Sequence, residues 1–208
     1  MQIPPALGIR YYVLPNTVNP NWPGYDDAGR PNFRRLAFKE GAGLWEAEGV
    51  PGYAYLTDNV RALSDGAEAE QWLAGLTWES VRSYEAAVEA PASVLAGLRR
   101  DPAGTSPGRV DVTEYRPGYV RLEVEAARPA LVVAAEAYYP GWRATLDGQP
   151  AELLRTNYLS QGVLVPEGTH TVELRYDPDS IRYGTLISIA GVLGLAALVV
   201  WARRPRKP

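Results

Sequence analysis

The sequence predicts an α+β N-terminal segment, then an antiparallel immunoglobulin-like β-sandwich, then one C-terminal transmembrane helix. Three observations carry this. Residues 184–202, GTLISIAGVLGLAALVVWA, hold no charge. At about 1.5 Å per helical residue they span roughly 28 Å, close to the hydrocarbon thickness of a bilayer. From Arg109 to Tyr176 short β-prone runs alternate with turn residues at regular spacing, the pattern of an all-β domain. Eighteen prolines and 20 glycines in 208 residues favour short strands over long helices.

Residues 1–90 read as a small mixed segment. Gly8 to Leu14 (GIRYYVL) is rich in aromatic and β-branched residues and predicts a strand. Asn16 to Asn32, with three prolines and two aspartates, predicts an exposed loop. Arg35 to Lys39, Gly43 to Glu48 and Gly52 to Thr57 are short strand candidates. Asp65 caps an expected helix to about Leu76, with Glu68 completing a capping-box-like pair. Ala69, Trp72, Leu73 and Leu76 form its apolar face. Trp78 to Val88 is expected to be extended. Residues 91–108, with Pro91, Pro102 and Pro107, predict a linker containing a possible helical turn at Ser93 to Arg99.

Residues 109–180 carry the expected sandwich. Arg109 to Tyr115 and Tyr119 to Ala126 form a hairpin across Pro117-Gly118. Val120, Leu122 and Val124 alternate with Arg121, Glu123 and Glu125, as in a strand buried on one side. Ala130 to Tyr138 is nearly continuous apolar, as a central strand would be. Trp142 to Leu146 enters the Asp147-Gly148 turn, the strongest hairpin signal in the chain, and Ala151 to Arg155 returns. Tyr158 to Val165 and Thr169 to Tyr176 make the last pair. The membrane helix is placed at 183–202, with Tyr183 and Trp201 at the headgroup levels.

Arg203, Arg204, Arg206 and Lys207 follow the span in a basic tail, 203–208. Such clusters stay cytoplasmic, which puts residues 1–182 outside the cytoplasm in a cell membrane. Removing four positive charges from a net charge of −3 leaves about −7 on the rest, an acidic surface with no basic stripe for nucleic acid. There is no cysteine, hence no disulfide framework or thiolate metal site. No cofactor is expected, and neither is a metal site, because no acidic pair follows a calcium-loop pattern. The first residues show no signal peptide, so the domain is expected to follow earlier membrane helices of a longer polytopic protein.

Within residues 109–180 stand Tyr139-Pro140-Gly141-Trp142, Ala144 and Asp147-Gly148. Asn157 follows, then Val165-Pro166, Gly168, His170, Val172-Glu173, Tyr176 and Pro178, and then the apolar run. This order resembles the C-terminal region of the bacterial YfhO family of membrane proteins, which are similar to GT-C glycosyltransferases. The resemblance implies a large polytopic protein and glycosyl transfer from a polyprenyl-phosphate sugar to an envelope polymer. In that class the catalytic carboxylate lies in an early loop between upstream helices, so no catalytic residue carries over. The chain by itself is expected to be an inactive accessory domain with an anchor helix. After Asn157 the family tends to an aromatic and an arginine, whereas Ser160, Gln161 and Gly162 intervene here. The competing function is a membrane-anchored module that binds carbohydrate or protein without any enzyme.

The candidate ligand residues are Tyr138, Tyr139 and Trp142, as an aromatic platform for sugar rings, with Asp147 and Asn157 bonding hydroxyls. Each also has a structural use. Pro140-Gly141 turns between strands, Trp142 fills the core, Asp147-Gly148 makes a hairpin, Gly168 supplies a positive φ and Asn157 bonds turn backbone. His170, the single histidine, has no catalytic spacing around it and reads as a strand residue bonded to backbone. On the membrane helix Gly184, Ser188 and Gly191 share one face, and small residues there let partner helices approach closely. The expected partners are thus the lipid bilayer, other transmembrane helices, and an envelope glycan or polyprenyl-phosphate sugar.

Overall fold

A computed structural model describes residues 11–15, 33–39, 42–47, 50–77, 80–81, 83–98 and 106–202. The first strands are β1 (Tyr11–Pro15), β2 (Phe33–Lys39) and β3 (Ala42–Ala47). They form a three-stranded antiparallel sheet in the order β1-β3-β2. The loop expected at 16–32 and the basic tail at 203–208 lie outside the described residues.

Eleven further strands follow. They are β4 (Ala54–Thr57), β5 (Val60–Leu63), β6 (Ala86–Glu89), β7 (Gly108–Arg116), β8 (Tyr119–Ala126), β9 (Ala130–Ala134), β10 (Trp142–Leu146), β11 (Gln149–Ala151), β12 (Leu154–Thr156), β13 (Ser160–Val165) and β14 (Gly168–Tyr176). They build two sheets, β11-β10-β14-β8-β7 and β4-β9-β13-β12-β6-β5. Alternate residues of β8, β10 and β14 (Val120, Leu122, Val124, Ala144, Val172, Leu174) meet Leu56, Val132, Val163 and Val165 of the other sheet in one buried cluster. That cluster is the interior of a sandwich, so the predicted architecture is present. Each fully buried leucine or valine contributes roughly 1.5–3 kcal/mol.

The six-stranded sheet is covered on both faces. In β9, Ala130, Val132 and Ala134 face the sandwich interior, while Leu131 and Val133 face a second cluster with Tyr55, Ala86, Val88 and Leu154. Val94, Leu95 and Leu98 lie over this second cluster. They come from a run of tight turns, in which Val94 N bonds Pro91 O at 2.9 Å and Leu98 N bonds Leu95 O at 2.9 Å. This double burial is why Ala130 onward reads as a continuous apolar run. Strands from both sides of residues 91–108 therefore share one sheet. Within it β5 and β6 pair in parallel, the one parallel ladder among the described strands.

Helix α1 (Gly66–Ala74) starts where the capping signal placed it. Asp65 Oδ1 accepts from Glu68 N at 2.9 Å. Glu68 Oε2 in turn accepts from Ser64 N at 2.8 Å, one residue earlier than a strict capping box. Those bonds from Ser64 hold the Glu68 carboxyl below its ordinary range. Trp72 and Ala69 face Leu63 and Ala87.

Three expectations change in detail. The 78–88 stretch is not extended throughout: Ser80 and Val81 are helical, and only Ala86–Glu89 pairs as a strand. Thr77 Oγ1 accepts from Ser80 N at 3.2 Å, Val81 N bonds Thr77 O, and Tyr84 reverses the chain at φ 54°. The strand expected from Tyr158 begins at Ser160, because Asn157 and Tyr158 have φ of 50° and 71°, which no strand accommodates. The strand expected at Ala151 to Arg155 divides into β11 and β12, which belong to different sheets.

The C-terminal helix α2 (Asp179–Ala202) begins before the apolar run itself. Pro178 precedes it and Asp179 supplies the favourable first-turn carboxylate. Its segment Asp179–Leu198 is long and apolar enough to cross a membrane, and none of it is buried against the protein. Ile187 is 72 % exposed and Val192 68 %. A soluble core helix would bury those side chains, so the membrane is the environment that fits.

Candidate functional site

The site is built where the sandwich meets α2. Strand β14 ends at Tyr176, and Asp177 and Pro178 then lead into the helix. Beside it β10 begins with Trp142, which pairs with Tyr176 in the ladder. The two rings lie 5.6 Å apart at 51°, a tilted contact that adds about 0.5–1.5 kcal/mol to area burial. Trp142 is half-buried against the sandwich interior.

Residues 137–141 form the loop before β10, and buried groups fix its base. Gln161, fully buried on β13, donates from Nε2 to Ala137 O at 2.9 Å. Tyr138 N donates to Leu159 O at 2.6 Å. Tyr53 donates its hydroxyl to Glu136 Oε2 at 2.8 Å. Burial first, then that bond, holds the Tyr53 phenol far above its ordinary range. The loop's outer end carries Tyr138, 38 % exposed, and Tyr139, 62 % exposed.

The same loop is fastened to the helix start. Gly141 O accepts from Asp177 N at 2.8 Å. Gly141 has φ 107°, and a Cβ there would lie 2.8 Å from Pro178 Cβ and 3.0 Å from Tyr176 Cε2, so only glycine allows this approach. Arg143 Nη2 reaches Asp179 Oδ1 at 2.8 Å, with Asp177 Oδ2 at 4.0 Å from its Nε. Pro140, Trp142, Arg143, Asp177, Asp179 and Ser180 line a shallow groove of about 360 Å³. It offers aromatic surface beside two carboxylates and one guanidinium, chemistry suited to hydroxyl-rich ligands.

Residues 105–188 match the profile of the family described as bacterial membrane protein YfhO. This region belongs to the YfhO family. The matched segment holds all of β7 to β14, the aromatic loop and the first turns of α2. Together with the exposed apolar helix, this match supports a membrane-associated protein. Neither the curated proteins nor the solved structures contain a match to the chain.

Of the five residues expected to contact ligand, the structure gathers Tyr138, Tyr139 and Trp142 at the membrane-proximal end of this YfhO domain. Asp147 is not with them. It sits at the far end of β10, five residues or roughly 16 Å away along the strand. There Asp147 and Gly148, with φ of 52° and 77°, form a turn with both central residues left-handed, the geometry that favours Asp-Gly. Asp147 Oδ1 accepts from Thr171 N at 2.8 Å, and Oδ2 lies 2.7 Å from His170 Nδ1. The histidine bond, then the Thr171 amide, hold the Asp147 carboxyl below its ordinary range.

Asn157 is fully buried beneath the six-stranded sheet. Its Oδ1 accepts from Ala87 N at 2.9 Å and its Nδ2 donates to Tyr55 OH at 2.8 Å. Its own N–H donates to Ala87 O at 2.7 Å. Both side-chain ends are thus engaged, Oδ1 on Ala87 of β6 and Nδ2 on Tyr55 of β4, and a left-handed asparagine is well suited to that turn.

Sequence reading overlooked Arg143, Asp177 and Asp179 as one unit. The Asp-x-Asp spacing was visible, but the arginine lies more than 30 residues earlier and is brought in by the β10–β14 ladder. The Asp147–His170 pair escaped for the same reason. Among the described residues no group of three or more His, Asp or Glu comes together as a metal site.

Proposed function

We propose that this chain supplies the extracytoplasmic accessory domain and terminal anchor helix of a YfhO-family membrane protein that works in cell-envelope glycosyl transfer. In this reading residues 1–182 lie outside the cytoplasm and the C-terminus inside it. The domain holds a glycan, as acceptor polymer or polyprenyl-phosphate sugar, close to the membrane for a catalytic centre elsewhere in the assembly. The supporting observation is that the Tyr138–Trp142 loop and the start of β10 are bonded to the entry of α2, Gly141 O to Asp177 N and Arg143 to Asp179. It keeps exposed aromatic rings at the membrane surface, where a lipid-linked sugar resides. Tyr138 and Tyr139 stack on apolar sugar faces, and Asp177 and Asp179 accept hydroxyl protons.

The helix takes part by meeting neighbouring helices along Gly184, Ser188 and Gly191. Apart from the helix's own backbone, nothing lies within 4 Å of where a Cβ would stand at Gly184 or Gly191, and Ser188 Oγ donates to Gly184 O at 2.8 Å. That face is consequently small and needs no polar partner.

Saturation-transfer NMR on the full chain in nanodiscs, with envelope glycan fragments, tests the reading. Signal on sugar ring protons is expected, and Tyr139→Ala should weaken binding roughly two- to tenfold, the worth of one aromatic contact. Its unfolding midpoint should stay unchanged because the ring is exposed. Undiminished binding by Tyr139→Ala removes the aromatic platform. Turnover of a lipid-linked sugar by the chain alone overturns the accessory role.

A further inference from the structure

We propose that a row of arginines across the membrane-proximal end of the five-stranded sheet, Arg116, Arg175 and Arg143 around Tyr119, docks on the headgroup phosphates of anionic phospholipids surrounding α2. This requires only the membrane span and stands apart from the glycan reading.

The ladder register creates the row. Arg116 on β7 opposes Tyr119 on β8, Tyr119 opposes Arg175 on β14, and Arg175 opposes Arg143 on β10. Directly opposed residues project from the same face of a sheet. Their neighbours Val120, Leu174 and Ala144 point into the sandwich, so the row points out. The Arg116 guanidinium lies 4.8 Å from the centre of the Tyr119 ring, and that of Arg175 lies 5.3 Å from it. Tyr119 is only 9 % exposed although it stands on the outer face, because the arginine stems cover it. Its hydroxyl donates to Glu173 Oε1 at 2.7 Å, which fixes the ring on which both cations rest.

Arg175 and Arg143 are directly opposed and repel one another, and Arg116 adds a third positive charge across the Tyr119 ring. Part of this is offset internally, since Arg143 pairs with Asp179 and Arg116 Nε lies 2.7 Å from Glu114 Oε1. Among the described residues Arg175 has no ion pair, and its charge is held only by the ring. An anion bridging Arg116 and Arg175 would relieve the repulsion, and arginine matches phosphate oxygens in a bidentate fork.

Height selects the phospholipid as the source of that anion. Arg143 bonds the first residue of α2, and Gly184 follows five residues later, about 7.5 Å along the axis. The headgroup layer on each side of the hydrocarbon is roughly 5–8 Å thick. The Arg143 end of the row thus lies level with the phosphates, and long arginine side chains readily adjust toward them. Arg182 on the first turn of α2 is exposed about 4.5 Å nearer the hydrocarbon.

The test is spin-label lipid selectivity of the full chain in phosphatidylcholine vesicles, comparing labelled phosphatidylglycerol with labelled phosphatidylcholine. Residues 203–208 stay unchanged in every variant, so differences report the row alone. At about 1 kcal/mol per arginine near a charged surface, Arg175→Gln should lower the selectivity by up to about fivefold. The Arg116→Gln/Arg175→Gln double variant should lower it further, and Arg116→Lys/Arg175→Lys should retain most of it. Wild-type selectivity should also fall in 1 M salt, where the screening length is about 3 Å. The fall should exceed that of the double glutamine variant, whose unchanged tail makes the same salt-sensitive contribution. Selectivity that survives the double glutamine variant, or is indifferent to salt in the wild type, overturns the proposal. Loss of selectivity on adding millimolar inorganic phosphate would assign the row to a free anion and overturns it equally.

Discussion

Gly141→Ala is the sharpest perturbation of the junction. The residue has φ 107°, and its added Cβ would meet Pro178 Cβ at 2.8 Å, Tyr176 Cε2 at 3.0 Å and Pro178 Cα at 3.1 Å. Two of those atoms belong to a proline and cannot rotate aside. An unfavourable backbone region costs roughly 1–3 kcal/mol, and overpacking costs about 1–3 kcal/mol more. The expected loss is therefore on the order of 2–6 kcal/mol. Gly148→Ala is the matched control, since Gly148 has φ 77° but nothing within 4 Å of its Cβ. It should cost only the left-handed backbone penalty, about 1–2 kcal/mol. Urea unfolding of the full chain in detergent, followed by tryptophan fluorescence, measures both. Amide exchange gives the local readout: the Asp177 N–H, which bonds Gly141 O at 2.8 Å, should exchange faster in Gly141→Ala and not in Gly148→Ala. If Gly141→Ala is no more destabilising than Gly148→Ala and Asp177 stays protected, the loop is not fastened to the helix start as described.

Two further predictions concern residues first considered as ligand groups. Asn157→Gly keeps the left-handed backbone but strands the Ala87 amide and Tyr55 hydroxyl without their partner. A destabilisation on the order of 2–4 kcal/mol is expected by urea titration, and a loss below about 0.5 kcal/mol would contradict the clamp. Asp147 has a lowered carboxyl pKa in the folded state. Its contribution is thus present above the unfolded value near 4 and is lost as pH falls through the lower, folded value. The difference in unfolding midpoint between wild type and Asp147→Asn should accordingly persist at neutral pH and vanish on acidification. A difference that grows toward low pH would show that the His170 and Thr171 bonds do not stabilise the carboxylate.

Much of the fold was legible because its signals are local. The alternation in Val120, Leu122 and Val124 marked one buried face, and the Asp147-Gly148 dipeptide marked a tight hairpin. An uncharged run of bilayer length marked α2. Other features were not local. Strand β5 is four residues long and pairs in parallel with β6, from which a helix separates it, so nothing in its own four residues announces it. Tyr158 looks strand-like by neighbourhood, but the turn that Asn157 holds through its bonds to Ala87 leaves both residues at positive φ. The candidate site was half legible: the aromatics of the Tyr-Pro-Gly-Trp loop lie together because they are contiguous, while Asp147 lies a full strand length away and Asn157 is in the interior.

Sequence by itself determined the β-rich character, the membrane span and the family resemblance, since each rests on periodicity, length or a contiguous motif. Tertiary structure alone decided which side chains meet. The antiparallel ladder between β10 and β14 set Arg143 against Arg175 and carried it to Asp179, and the β7–β8–β14 register stacked two arginines on one tyrosine. Register is fixed by which faces must be buried across the whole sheet, and that information is spread over every strand rather than held in any one of them.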